Sequence, residues 1–343
     1  MKLLEILLNI RELNSSLNNQ MKLLYPLEFI PQPKKRIWGG NKLRKIYNKP
    51  FNGDQIGESW EVSTIPNSIS KVAYGTLKGL SLDKLILEYK YRLVGKSVYE
   101  KYNNKFPILI KFIDAKEDLS VQLHPNDDIA KTRHSSFGKT EMWYIMDSNP
   151  ESKLILGFKE EVTKKIYLNH LKNNTLNEIL NYESISPGDA LLINPGKVHA
   201  IGGGILLAEI QQSSDITYRI YDYQRKDQNG QYRELHTDLA EDIIDFKNRN
   251  NFRLKYNFKE NNIDYLVNSK HFKTKIHNIN KRLILSFQKV DSFVVLICVK
   301  GNFNFFQSNY NGSVNLGSCL MIPAELDNII LEGENVIVLQ VHM

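Results

Sequence analysis

Apolar positions change their period several times along the chain, and each change predicts a different element. From Leu23 to Val62 there is no sustained period: PQPKKRIWGG is turn-rich, and GESWEVS reads as an extended segment leading into a strand. Between Ser81 and Tyr102, Leu82, Leu85, Ile86, Tyr89, Leu93 and Val98 recur at helical spacing. Ser81 and Asp83 supply an N-terminus, so a helix pair or one broken helix is expected there. PILIKFIDA (Pro107 to Ala115) is a continuous apolar run broken only by Lys111, and LSVQL (Leu119 to Leu123) alternates strictly. Short strand patterns follow at Met142 to Met146, Lys153 to Phe158, Ala190 to Ile193, Ile205 to Gln211 and Thr217 to Tyr223. Strands this short, separated by turns, predict a mainly β sandwich or small jelly-roll-like barrel rather than an α/β sheet. Glu160 to Tyr182 interrupts them as a helical insertion with Val162, Ile166, Leu171, Leu176 and Ile179 on its apolar face.

After Asp245 a polar stretch, FKNRNNFRLKYNFKENN, reads as a linker, and strands resume at Leu283 to Val290, Phe293 to Val299, Ser318 to Ile322 and Val336 to Val341. This second β-module aligns with part of the first. SPGDALLINPGKVHAI can be laid on NLGSCLMIPAELDNII, with Gly188 over Gly317 and His199 over Asn328. The expected organisation is an N-terminal extension over residues 1–20, a first module over 21–250 and a second over 251–343. MKLL occurs at Met1 and again at Met21, which makes Met21 an alternative start.

With 42% hydrophobic and 24% charged residues, the 343-residue chain has the composition of a globular protein. No apolar run is long enough to span a membrane. Its net charge of +7 is spread along the chain without a basic block, which argues against nucleic acid while leaving a field that favours a small anionic substrate. Cys298 and Cys319 sit in apolar runs, as buried thiols do, and fit a reducing cytoplasm. The short stretch MKLLEILLNI, interrupted by Glu5 and without a small-residue cleavage site, is not expected to be a secretion signal.

The candidate chemistry is a metal site. In SVQLHP, Gln122 and His124 stand two apart and leave one face of a strand. Glu141, at the head of EMWYI, offers a hard carboxylate oxygen, and His199 follows a Pro-Gly turn and precedes the glycines of IGGG. Any one of these is an ordinary residue of a β protein; together they point to a divalent ion. Lys139 and Ser120 flank these positions and can meet a phosphate, as can Lys111, which could equally snorkel to the surface.

Seven ordered motifs sharpen this: WGG at Trp38, GESWEVS at Gly57, FPILIKFIDA at Phe106, LSVQLHP at Leu119, GKTEMWYI at Gly138, GKVHAIGGG at Gly196 and AEIQQSSDITYRIYDYQR at Ala208. Over Tyr25 to Phe246 the chain resembles the type I mannose-6-phosphate isomerases (phosphomannose isomerases), zinc enzymes built on the cupin barrel. The resemblance implies one Zn2+ per chain held by Gln122, His124, Glu141 and His199. It also implies an active-site arginine at Arg219 with Glu209 as its acidic neighbour, and a sugar-phosphate substrate interconverted through an enediol. The proton-transferring base stays open among Glu209, another pocket group and a metal-bound water. Zinc, cobalt, manganese and iron can share such ligands. The chain departs from the family in placing Pro195 directly before the turn glycine, with Asn194 where a proline is common. A non-haem iron oxygenase and a non-catalytic sugar-binding module are the rival readings; Gln122 as a fourth ligand argues against the first, and the full ligand set with Arg219 against the second. Neither a membrane nor a nucleic-acid partner is expected, and the chain is expected to act as a monomer or homodimer. The second module, with Asn328 in place of His199, is expected to be metal-free.

Overall fold

Runs of β-branched and aromatic residues bounded by turns give an antiparallel β structure. The computed structural model describes residues 23–159, 162–227, 229–247, 252–257 and 263–343. The expected extension over residues 1–20 and part of the polar linker lie outside them. In chain order the first module contributes β1 (Gln32–Gly40), β2 (Ile56–Val62), β3 (Ile108–Asp114), β4 (Val121–Leu123), β5 (Glu141–Asp147), β6 (Lys153–Phe158), β7 (Leu180–Ser184), β8 (Ala190–Ile193), β9 (His199–Ile201), β10 (Leu206–Gln212) and β11 (Tyr218–Tyr221). They form two sheets, one in the order β1-β2-β3-β10-β5-β8 and the other in the order β11-β4-β9-β6-β7. Ile113, Trp143, Ile145, Leu191, Ile193 and Leu207 of the first sheet pack on Leu154, Leu156 and Ile201 of the second. The result is a jelly-roll-like sandwich whose two ladders stay separate.

β3 is buried along its whole length because both faces of its sheet are covered. Ile108, Ile110 and Phe112 face a second core shared with Leu82, Leu85, Ile86 and Tyr89 of the helical segment and with Val295, Ile297 and Leu339 near the C-terminus. The intervening residues, Lys111 and Ile113, face the sandwich interior. The helical segment is three short helices, Leu82–Tyr89, Tyr91–Val94 and Lys96–Tyr102. It is interrupted at Lys90 and Gly95, whose φ values of 50° and 92° cannot continue a right-handed helix.

The third sheet contains β12 (Ile263–Asn268), β13 (Lys273–Ser286), β14 (Val294–Lys300), β15 (Phe303–Gln307), β16 (Tyr310–Val314), β17 (Cys319–Ile322) and β18 (Asn328–His342). β13 and β18 pair along nearly their full length, with Lys273 opposite His342 and Ser286 opposite Asn328. The expected strand over Leu283 to Val290 is therefore the end of a much longer one that stops at Ser286. The proposed linker does more than connect: Arg253 bridges Leu191, and Leu254 N–H donates to Ala190 O at 2.8 Å, so this stretch lies along the edge of β8.

Other expectations also shift. Within the expected insertion, the helix covers Lys164–Lys172 and a 3-10 turn covers Leu176–Ile179, but Leu180–Ser184 is a strand, β7. Val162, Leu176 and Ile179 of the expected apolar face are buried and Leu171 packs against them, while Ile166 is 38% exposed and Tyr167 takes its place in the core. The turn-rich stretch before Trp38 is the edge strand β1, whose Pro33 and lysines suit an unpaired edge and hide the usual alternation.

The turn repeat is visible in the backbone. Gly188 and Gly317 have φ of 97° and 74°. In each turn the following residue donates back across it, Asp189 N to Ser186 O and Ser318 N to Asn315 O, both at 3.0 Å. Each turn then feeds a four-residue strand, β8 or β17.

Candidate metal centre and active-site cavity

The inner face of the six-stranded sheet carries one polar row. Trp60 of β2 stands opposite Lys111 of β3, Lys111 opposite Glu209 of β10, and Glu209 opposite Trp143 of β5. Glu58 and Glu141 lie two residues from Trp60 and Trp143 on their strands and so share that face. Across the sandwich, Gln122 of β4 pairs directly with His199 of β9 and with Arg219 of β11. Register alone thus brings residues that are distant in sequence into one space.

His199 is delivered by a turn. Lys197 N donates to Asn194 O at 3.2 Å around Pro195 and Gly196, and Gly196 has φ 80°, the pattern of a type II turn with proline first and glycine second. The shifted proline is therefore well placed for this turn. Gly196 N–H also donates to His124 O at 2.8 Å, tying the two histidine segments together.

His124, Glu141 and His199 are each 1% exposed, and one donor atom from each lies within 4.8 Å of the others. His124 Nδ1 contacts Ile216 O at 2.8 Å and His199 Nδ1 contacts Lys197 O at 2.9 Å. A carbonyl can only accept, so both Nδ1 atoms carry hydrogen and both Nε2 atoms present lone pairs inward. Those Nε2 atoms and both Glu141 oxygens have no hydrogen-bond partner. His124 Nε2 lies 3.2 Å from Glu141 Oε1, and His199 Nε2 3.5 Å from Oε2. Burial pushes the pKa of His124 down to about 3 and lowers that of His199, so both rings are neutral. Burial works to raise Glu141, but Lys139, with Nζ 3.0 Å from Oε1, and the histidines outweigh it and hold the carboxyl well below its usual range. Two neutral imidazoles and a carboxylate whose only ion-pair cation among the described residues is Lys139, all buried, form a candidate donor set for a divalent cation. Gln122, half-buried, pairs with His199 across the β4–β9 ladder and so shares its face.

Beside this centre, Lys111 Nζ lies 2.6 Å from Glu209 Oε2 and 3.6 Å from Glu58 Oε1, so it is buried and paired rather than snorkelling. Trp143 Nε1 donates to Glu209 Oε1 at 2.8 Å. Burial and the nearby Glu141 carboxylate push Glu209 up to about 7 against the pull of Lys111 and Lys139. Glu58 accepts from Arg36 at 2.7 Å and from Trp60 Nε1 at 3.0 Å. Arg219 donates from Nε to Ser120 Oγ at 3.2 Å and from Nη1 to Glu234 O at 2.8 Å. Burial and the neighbouring Arg233 lower its pKa.

A cavity of about 440 Å3 is lined by Lys111, Ser120, Gln122, Lys139, Glu209 and Arg219, and also by Arg36, Glu58, Trp143 and Arg233. A larger one, about 650 Å3, lies between the segment at Glu28 and the third sheet and contains none of the metal donors. The chemistry belongs to the smaller cavity because the unpartnered donors adjoin it. Glu58, Arg36 and Arg233 were missed from sequence. Glu58 lay in a quoted motif whose alternation could have placed it on the inner face; Arg233 follows a turn-rich stretch that carries no such signal.

The profile described as "Phosphomannose isomerase type I, catalytic domain" matches residues 27–169. The protein named mannose-6-phosphate isomerase ManA of Bacillus subtilis is 34% identical, over 90% of this chain and 96% of its own length. The chain belongs to the type I phosphomannose isomerase family. A crystal structure of the mannose 6-phosphate isomerase from Bacillus subtilis superposes with a TM-score of 0.84 at 28% identity, covering 93% of this chain and all of that one (100%). The phosphomannose isomerase of Salmonella typhimurium, at 14% identity and TM-score 0.75 over 93% of this chain and 99% of its own, shares the fold. Within this family the sandwich is the cupin arrangement, and the paired sheets account for how its motifs converge.

Proposed function

We propose that the chain is a metal-dependent aldose-ketose isomerase that interconverts mannose 6-phosphate and fructose 6-phosphate, with one Zn2+ held by Gln122, His124, Glu141 and His199. The observation that carries this reading is the set of unpartnered donor atoms on His124, Glu141 and His199, buried beside the cavity that holds Glu209, Lys111 and Arg219. When bound, the metal supplies Lewis acidity that polarises the sugar's carbonyl or hydroxyl oxygen, and a single carboxylate ligand leaves the centre positive.

The isomerisation removes a proton from the carbon beside a carbonyl and returns it to the neighbouring carbon through an enediol. Glu209 takes and returns that proton. A carboxyl raised by burial from its ordinary value toward neutrality serves as base and then as acid. Trp143 and Lys111 fix its two oxygens. Arg219 is assigned to the developing negative charge on the substrate oxygens, which a planar guanidinium can meet with several donors. Ser120 orients Arg219. Lys111, Lys139 and Ser120 are assigned to the reacting end of the sugar, since each lines the cavity while paired within the protein. The two unpaired, buried thiols of Cys298 and Cys319 support a cytoplasmic setting.

A coupled assay on mannose 6-phosphate, run before and after chelator treatment and after zinc is restored, tests this reading. Turnover that chelation abolishes and zinc restores is expected; activity indifferent to chelation overturns the metal assignment, and no turnover with metal present overturns the reaction.

A further inference from the structure

An aldose phosphate needs a second anchor, for its phosphate, away from the reacting carbons. The cavity lysines are poor candidates because both are engaged by carboxylates, Lys111 by Glu209 and Glu58 and Lys139 by Glu141. Arg36 spends Nη2 on Glu58 and Nη1 on Lys35 O, so both of its terminal nitrogens are already engaged. Unspent cationic donors gather instead where β11 meets the segment ending at His236. That segment is fastened to β11: His236 N donates to Arg219 O at 2.7 Å, Arg219 N to His236 Nδ1 at 3.2 Å, and Arg219 Nη1 to Glu234 O at 2.8 Å.

The same segment carries Arg233, which lines the cavity with Arg219. Asp222, just after β11, grips Arg233 along one edge, Nε to Oδ2 at 2.6 Å and Nη2 to Oδ1. A guanidinium has five N–H donors in a planar fork. Gripping the Nε edge turns the opposite edge, Nη1 with the second hydrogen of Nη2, away from Asp222, and among the described residues that edge has no hydrogen-bond partner. Arg225 Nη2 also donates to Asp222 Oδ1, at 2.6 Å. One carboxylate thus serves two arginines with a third, Arg219, beside them, so Arg233 keeps donors that Asp222 does not use; Asp215, which also lines the cavity, and Glu234 are the other carboxylates nearby.

We infer that Arg233, oriented by Asp222, receives the phosphate of the substrate beside the free Nη2 of Arg219. This rests on the sugar-phosphate reading above and adds to it the residue that selects the phosphorylated sugar. Asp222 is a positioning residue: it fixes the plane of Arg233 without reaching the phosphate. The arrangement differs from a lysine anchor, since a lysine ammonium cannot satisfy both oxygens of Asp222 and present a second flat edge to an anion.

The test uses the metal-loaded enzyme, with mannose 6-phosphate as substrate and inorganic phosphate as a competing ligand titrated by calorimetry. For Arg233→Ala, KM is expected to rise at least tenfold and phosphate affinity to fall by a similar factor, with kcat within threefold of wild type and metal content unchanged. Arg233→Lys should recover only part of the KM. Asp222→Asn should shift KM in the same direction and spare kcat, with Asp222→Glu closer to wild type. Thermal melting checks that each variant folds, and Arg233→Lys keeps the test open should Arg233→Ala be unstable. Unchanged KM and phosphate affinity in a folded Arg233 variant overturns the proposal, and so does a loss confined to kcat. If wild type turns over no mannose 6-phosphate, the isomerase reading fails by itself, and the calorimetric comparison still decides whether Arg233 binds phosphate.

Discussion

A carboxyl held between an indole N–H and an ammonium carries its proton at a pH its neighbours set. Glu209, raised to about 7 by burial and by Glu141, must be ionised to accept a proton, so kcat/KM is expected to climb as pH rises through 7 and then level. Glu209→Gln should cost about 10²-fold or more in kcat. Lys111 opposes the rise in Glu209, so removing its charge must raise the Glu209 pKa further. Lys111→Met should therefore move the limb of the pH-rate profile to higher pH; an unmoved limb would show that Glu209 is not the group being titrated. Arg219→Lys should lower kcat by about 10²-fold, the cost of losing a preorganised donor at developing charge. Its metal content should match wild type by elemental analysis, and wild-type turnover would end the assignment. The candidate donors His124, Glu141 and His199 were picked out by the motif resemblance, since a two-residue strand spacing and a Pro-Gly turn are ordinary in a β protein by themselves. The partners of Lys111 were not: an ammonium in an apolar strand reads the same whether its neighbours across the ladder are carboxylates or water.

At the scale of elements, the site depends on the turn that launches β9. Gly196 has φ 80°, and a Cβ built there would lie 2.5 Å from Ile243 O, against backbone that cannot swing aside. Gly196→Ala is expected to destabilise the fold by about 2 kcal/mol or more, from the left-handed conformation plus the clash. It should also weaken metal binding, because His199 is carried three residues on. Parallel melts with and without added zinc separate the two effects: the metal-induced rise in Tm should shrink as well as the Tm itself. Short apolar strands were readable because both faces of their sheets are covered. Edge strand β1 was not, since an edge is protected by the prolines and charges that also mark loops. Strand β7 was hidden because LNYES continues a plausible helical face, and pairing with β6 overrides that local preference.

At the scale of the molecule, a similar turn and four-residue strand occur at Gly188 and at Gly317, the observation that favours the proposed two-module organisation. The first carries the donors, while in the second Asn328 stands exposed at the start of β18 in the place of His199. Metal analysis of the purified protein should give about one ion per chain, and a value near two would contradict the assignment of a single centre. The second module also has titrating groups far from that centre. His277 of β13 and His342 of β18 are both buried, the first paired through Nε2 with Gln340 Oε1 at 2.9 Å, and burial lowers each to about 4 from an ordinary value of 6.5. A histidine whose folded pKa is depressed takes up its proton more readily in the unfolded chain, so it favours unfolding wherever the unfolded form is charged and the folded form is not. The stability these two residues permit is fully present above pH 6.5 and is lost as pH falls toward 4, by about 3 kcal/mol for His277 over the full interval. Denaturant melts of wild type between pH 7.5 and 4.5 should show this decline, and His277→Gln should flatten part of it. A decline of equal slope in wild type and His277→Gln would place the acid sensitivity elsewhere, with the carboxylates of the first module as the next groups to test.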